Sequence, residues 1–96
     1  MKGRDLREKE KKKEALTLLS QFKASLFSPY EQHLLFPIIQ SFMQNITLEQ
    51  REVPFLVSEF DYQLSDLIRN YAIELTPRQE RLIQKLRQLS FIKYRY

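Results

Sequence analysis

The sequence contains no cysteine, no tryptophan and a single glycine, Gly3. Without cysteine the chain forms no disulfide and no thiolate metal site, a composition that fits a reducing compartment. One glycine cannot supply a glycine-rich phosphate loop or a calcium-binding EF-hand loop. So few turn-forming residues also disfavour a protein built from many short strands. We therefore expect helices.

Long apolar runs are missing as well. No run reaches the roughly 18–20 uncharged residues that a membrane span requires. The first residues, Met1 to Arg7, are basic but lack the apolar core of a signal peptide. We expect a cytoplasmic protein whose contacts with a membrane, where they occur, are peripheral and from the inside.

Chemical constellations typical of enzymes are also absent from the sequence. His33 is the only histidine, so no second histidine or cysteine completes a zinc site with it. The carboxylates Glu59, Asp61 and Asp66 lack calcium-loop spacing and are typical of a solvated helix face. Hydroxyl side chains are available as nucleophiles, but no motif surrounds the one imidazole base. We predict a non-enzyme without catalytic, cofactor-binding or metal-binding residues.

What the sequence does contain is four segments in which apolar residues recur at the three-and-four spacing of an amphipathic helix. The predicted core residues are, in chain order, Ala15, Leu18, Leu19, Phe22 and Leu26; Leu34, Leu35, Ile38, Ile39, Phe42 and Ile46; Val57, Phe60, Leu64, Leu67, Ile68 and Tyr71; and Leu82, Ile83, Leu86 and Leu89. Four such helices with short connections predict an all-α fold, an antiparallel four-helix bundle. We expect Phe60, Leu64 and Leu67 to lie deepest.

Helix starts are signalled twice by the same chemistry. Ser28-Pro29-Tyr30-Glu31 and Thr76-Pro77-Arg78-Gln79 each combine a hydroxyl cap, a proline at the first helical position, and a carboxylate or amide three residues after the cap. These segments predict the starts of the second and fourth helices. Pro37 falls inside the second helix and predicts a bend, either tolerated or used as a hinge.

The third helix is predicted to run from Val53 to about Glu74 as the longest element, after a short turn or loop over residues 47–52. A capping box at Thr47-Leu48-Glu49-Gln50 leaves open an earlier start at Leu48. We interpret residues 1–96 as a single domain with a frayed, charged first turn at 1–5 and a short basic, aromatic tail at 91–96. The same interpretation favours a monomer.

Charge is distributed unevenly along the chain. Lys and Arg outnumber Asp and Glu by seven to four in residues 1–14 and by six to one in residues 76–96, whereas acids outnumber bases by seven to three in between. The basic, aromatic C-terminal quarter suits a protein surface, a lipid headgroup layer or nucleic acid. Its candidate partner-binding residues are Arg78, Arg81, Lys85, Arg87, Phe91, Lys93, Tyr94, Arg95 and Tyr96. Alternatively, the aromatic tail folds back onto the bundle and the cations maintain solubility.

Residues 65–90 resemble the helix-three and helix-four hairpin of immunity proteins for pediocin-like (class IIa) bacteriocins, the enterocin A immunity family. The likeness is greatest in Leu75-Thr76-x-x-Gln79-Glu80-x-Leu82-Ile83-x-x-Leu86, followed by a tail containing Tyr94-Arg95. The absence of cysteine, the lysine-rich start and the run of amphipathic helices are similar to that family too.

The resemblance implies a left-turning antiparallel four-helix bundle that protects a bacterium from a membrane-permeabilising peptide. It implies action from the cytoplasmic side, on a mannose phosphotransferase permease occupied by the bacteriocin. It further implies that the C-terminal half, here residues 74–96, selects the bacteriocin that is countered.

Two hypotheses of other classes use the same residues. In one, the cations bind phosphates and the protein is a small basic helical regulatory or nucleic-acid-binding protein, which predicts binding that weakens steeply with salt. In the other, the protein is a helical adaptor that dimerises through its long third helix, which predicts a concentration-dependent mass in solution.

Overall fold

The computed structural model describes residues 2–48 and 52–89, with side chains described from Lys9 onward. These residues form four helices and no strand: α1 (Lys2–Ala24), α2 (Pro29–Leu48), α3 (Val53–Tyr71) and α4 (Pro77–Gln88). They pack as an antiparallel four-helix bundle, which confirms the fold class predicted from periodicity. Among the described helices, none is both long and apolar enough to cross a membrane.

The helices are not equivalent in the bundle. Helix α1 packs against each of the other three, and α3 also contacts α2 and α4. Within the described residues, α2 and α4 do not contact one another. Helices α1 and α3 therefore meet across the middle of the bundle and hold α2 and α4 on opposite sides.

The core follows the predicted stripes closely. All five residues predicted for α1 are buried, and most of those predicted for the other helices join them. Helices α2 and α3 are joined by Phe42 and Phe60, whose rings stack with their centroids 4.7 Å apart. Phe60 and Leu64 lie among the most deeply buried residues of the molecule, as expected.

The end of α3 differs from the prediction. The helix stops at Tyr71 because Ala72 adopts a left-handed backbone conformation, with φ of 52°, and the N–H groups of Ala72 and Ile73 both donate to the Ile68 carbonyl. Ile73 is then buried, whereas Tyr71 is exposed and Leu67 is only half-buried. The turn thus brings Ile73, rather than Tyr71, into the core. The prediction that α3 is the longest element is also wrong, since α1 has 23 residues and α3 has 19.

Helix α2 starts at Pro29, as predicted, and continues through Pro37 without interruption. Pro37 is exposed, which lets its ring face solvent. At its other end the helix includes Thr47 and Leu48, whereas the sequence predicts that both lie in a loop. The Thr47 hydroxyl donates to the Met43 carbonyl one turn earlier, at 2.9 Å. Residues 49–51 of the predicted loop lie outside the described residues.

Candidate functional site: the hairpin of helices α3 and α4

The start of α4 is fixed by the predicted capping box. The Gln79 backbone N–H donates to the Thr76 hydroxyl at 3.1 Å, and the Gln79 side-chain oxygen accepts from the Thr76 backbone N–H at 2.9 Å. Two backbone donors at the helix start are therefore satisfied by this reciprocal pair. Pro77 occupies the first helical position, where its missing N–H costs no hydrogen bond.

Gln79 has a second role that its position in the sequence does not indicate. Its side-chain amide nitrogen donates to the Ser25 backbone carbonyl at 3.0 Å, across 54 residues of sequence. The side chain is only 3% exposed, so both of its polar atoms are used inside the protein. Gln79 thereby ties the start of α4 to the turn between α1 and α2.

A groove of about 1050 Å³ lies along the hairpin, between the second half of α3 and the outer side of α4. Apolar side chains from both helices and their connection line it: Ile68, Ile73, Leu75 and Ile83. Arg69, Arg81 and Arg87 and the carboxylates Glu74 and Glu80 also line it. An apolar strip bordered by charges of both signs is typical of a surface that binds a protein segment.

An ion pair joins the two helices beside this groove. The Arg87 Nε donates to Asp61 Oδ1 at 2.7 Å, with the Arg87 side chain 46% exposed and the Asp61 side chain 33% exposed. Because both groups are partly solvated, the pair contributes modestly to stability. Its main effect is to hold the Arg87 guanidinium against α3.

The four predicted cations of α4 fall on two sides of the helix. Arg78, Arg81 and Lys85 are exposed and follow the three-and-four spacing of one face. Arg87 is turned toward α3, where it meets Asp61. The described part of α4 therefore offers three cations on one exposed face, of which Arg81 also borders the groove, and a fourth cation, Arg87, held against α3. The remaining predicted residues, Phe91, Lys93, Tyr94, Arg95 and Tyr96, lie outside the described residues.

The sequence predicts the exposed basic face of α4 but not the groove beside it. The groove depends on how far α3 and α4 stand apart, and no spacing within one helix encodes that distance. The sequence predicts a solvated carboxylate at Asp61, although acids on one helix and bases on the next are a pattern that allows a bridge between them. Within the described residues, no three side chains of the metal-binding types gather into a cluster.

Comparison of the chain with protein-family models, with curated proteins and with solved structures finds no match in any of the three.

Proposed function

We propose that this protein is an immunity protein that protects its cell from a pediocin-like bacteriocin. In this proposal it binds, from the cytoplasmic side, to a mannose phosphotransferase permease that the bacteriocin occupies. Protection then results from binding alone, since an occupied permease that is capped leaks less, and no covalent bond is made or broken.

The observation that carries the proposal is the resemblance of residues 65–90 to the hairpin of the enterocin A immunity family. Several residues of that likeness have defined places in the fold: Thr76 and Gln79 form the capping box, and Leu82, Ile83 and Leu86 face the core. The likeness alone therefore supports a hairpin. Support for recognition comes from the exposed face of Arg78, Arg81 and Lys85 and from the mixed apolar and charged groove beside it.

The test is a challenge of a bacteriocin-sensitive strain that expresses the protein. Growth is measured against a panel of pediocin-like peptides, as the concentration of each peptide that halves growth. We expect that concentration to rise for at least one peptide of the panel. Equal inhibition with and without the protein across the whole panel would overturn the proposal.

A matched set of variants locates the recognition surface. Arg81→Gln with Lys85→Gln removes two exposed cations of α4, and we expect protection to fall by about tenfold, the effect of losing one strong interface contact. Lys11→Gln removes one cation from α1 and should leave protection unchanged. If Lys11→Gln reduces protection as much as the α4 variant, the α4 face is not the recognition surface.

Salt-sensitive binding to DNA or RNA without any protection would instead support the nucleic-acid alternative.

A further inference from the structure

Helix α2 carries no Asp, Glu, Lys or Arg in the seventeen residues from Gln32 to Leu48, in a chain whose residues are 29% charged. Burial in the core explains this for the apolar residues, but not for the exposed positions. Gln40, Ser41, Gln44 and Thr47 are all exposed and all uncharged. Desolvating the exposed side of α2 from Gln32 onward therefore costs little free energy, because no Asp, Glu, Lys or Arg lies there.

A second groove, of about 550 Å³, lies between this side of α2 and α1. Among the described residues, those that line it are all uncharged: Leu16, Gln40, Met43, Gln44, Thr47 and Leu48. Leu48 is 62% exposed, which is high for a leucine in a helix. We call the surface formed by these six residues, of which Leu16 and Met43 are half-buried, the α1–α2 face.

The lysines of α1 are concentrated on this same side. Lys23 shows which side of α1 faces α2. Its Nζ donates to the Gln40 side-chain oxygen of α2 at 3.1 Å and lies 5.2 Å from the centre of the Phe36 ring. Leu16 lies seven residues before Lys23, and Lys13 and Lys9 precede Leu16 by three and seven residues. These spacings place all four residues on one face of α1.

The acids of the same stretch lie elsewhere on α1. Glu14 and Glu10 precede Leu16 by two and six residues, spacings that turn them away from the face of Leu16. Lys11 precedes Leu16 by five residues and likewise falls off that face. The helix thus sorts the charges of this stretch into a side next to α2 that carries lysines and a side away from α2 that carries the acids.

We propose that the α1–α2 face binds the surface of a membrane that contains anionic phospholipids. Lys9 and Lys13, both exposed, approach the lipid phosphates, while Leu16, Met43 and Leu48 contact the upper part of the acyl chains. The uncharged groove favours lipid over nucleic acid, since a phosphodiester backbone gains nothing from methylene and thioether groups. The charge complementarity comes from the lysines of α1 and from the lack of any carboxylate between Gln32 and Leu48 of α2.

This inference goes beyond the proposed function and does not rest on it, because it uses α1 and α2 rather than α4. The two can fail separately: a protein that protects no cell can bind vesicles, and a protein that binds no vesicle can protect cells.

The test is cosedimentation of the full-length protein with vesicles of phosphatidylcholine, with or without about one third phosphatidylglycerol. We expect binding only to the anionic vesicles, and weaker binding as salt is raised from about 0.05 to about 0.2 M. Lys13→Gln should lower the partition coefficient about fivefold, and Lys9→Gln with Lys13→Gln about 25-fold. Lys11→Gln is the matched control, with the same charge change on the other side of the same helix, and should bind nearly as the parent does.

The apolar part of the contact has its own matched pair. Leu48→Ser should weaken binding to anionic vesicles about tenfold, since it removes an aliphatic group that enters the interface. Phe55→Ser removes an exposed apolar side chain of α3 and should have no effect. Circular dichroism of every variant verifies that the helices are intact.

The proposal is overturned by equal losses in Lys13→Gln and Lys11→Gln, or by equal binding to anionic and neutral vesicles. It is also overturned if no vesicle is bound while an acidic polypeptide such as polyglutamate, or duplex DNA, binds in a manner that Lys13→Gln abolishes. In that last case the face binds an acidic protein or nucleic acid instead of lipid.

Discussion

Gln79 shows how much one uncharged side chain contributes to this fold. Its amide accepts from Thr76 and donates to Ser25, and its backbone N–H donates to the Thr76 hydroxyl. A buried amide that makes all of these hydrogen bonds is favourable. If the amide is removed, its partner groups stay inside the protein without a hydrogen bond, which costs free energy. The stability of the junction between the two hairpins therefore depends on this residue.

We expect Gln79→Ala to lower the free energy of unfolding by about 1–3 kcal/mol, because it leaves the Ser25 carbonyl and the Thr76 N–H without their partner. Gln84→Ala is the matched control: Gln84 is exposed on the same helix, and its truncation should change stability by less than about 0.5 kcal/mol. Urea unfolding followed by circular dichroism measures both. Equal midpoints for the two variants would show that the contact with Ser25 is dispensable.

At the scale of the element, the end of α3 is the least expected feature. A left-handed conformation at a helix end is usually taken by glycine, because a Cβ atom crowds the following carbonyl oxygen. Here Ala72 adopts it, and the chain tolerates the cost because the turn delivers Ile73 to the core. The connection to α4 is thus set by the burial of Ile73 rather than by the intrinsic preference of Ala72.

Ala72→Gly should therefore stabilise the protein, by about 0.5–1 kcal/mol, since glycine adopts positive φ without the steric cost. The same substitution at Ala24, the exposed last residue of α1, should have the opposite sign, with a loss of up to about 1 kcal/mol. Thermal unfolding of the two variants provides the comparison. Destabilisation by Ala72→Gly would contradict the conformation assigned to this turn.

At the scale of the whole molecule, the periodicity of apolar residues predicts the architecture. It does not predict which residues of two different helices come into contact. The stripe of Leu82, Ile83 and Leu86 predicts which side of α4 is buried, since that depends only on the helical repeat. The Gln79 contact with Ser25 and the bridge from Arg87 to Asp61 depend on where two helices cross, which no local spacing records. For the same reason the sequence predicts neither groove, since each depends on how two helices lie relative to one another.

Because one continuous core joins the four helices, we expect unfolding in a single step. Phe60→Ala removes a buried ring that stacks on Phe42, and it should cost about 3–5 kcal/mol. Phe55→Ala, at an exposed position one and a half turns earlier on α3, is the control and should be nearly neutral. Melting curves from helical dichroism and from tyrosine fluorescence should coincide for both. Separate transitions would contradict unfolding in a single step.

The separation of α2 from α4 by the pair α1 and α3 has a consequence for how this protein can change. A substitution on the outer side of α4 reaches α2 only through the middle of the bundle, so distant effects should add rather than interact. Residues on the outer side of α4 can then vary without disturbing contacts that the outer side of α2 makes. The architecture thus leaves the outer sides of α2 and α4 independently adjustable in a chain of 96 residues.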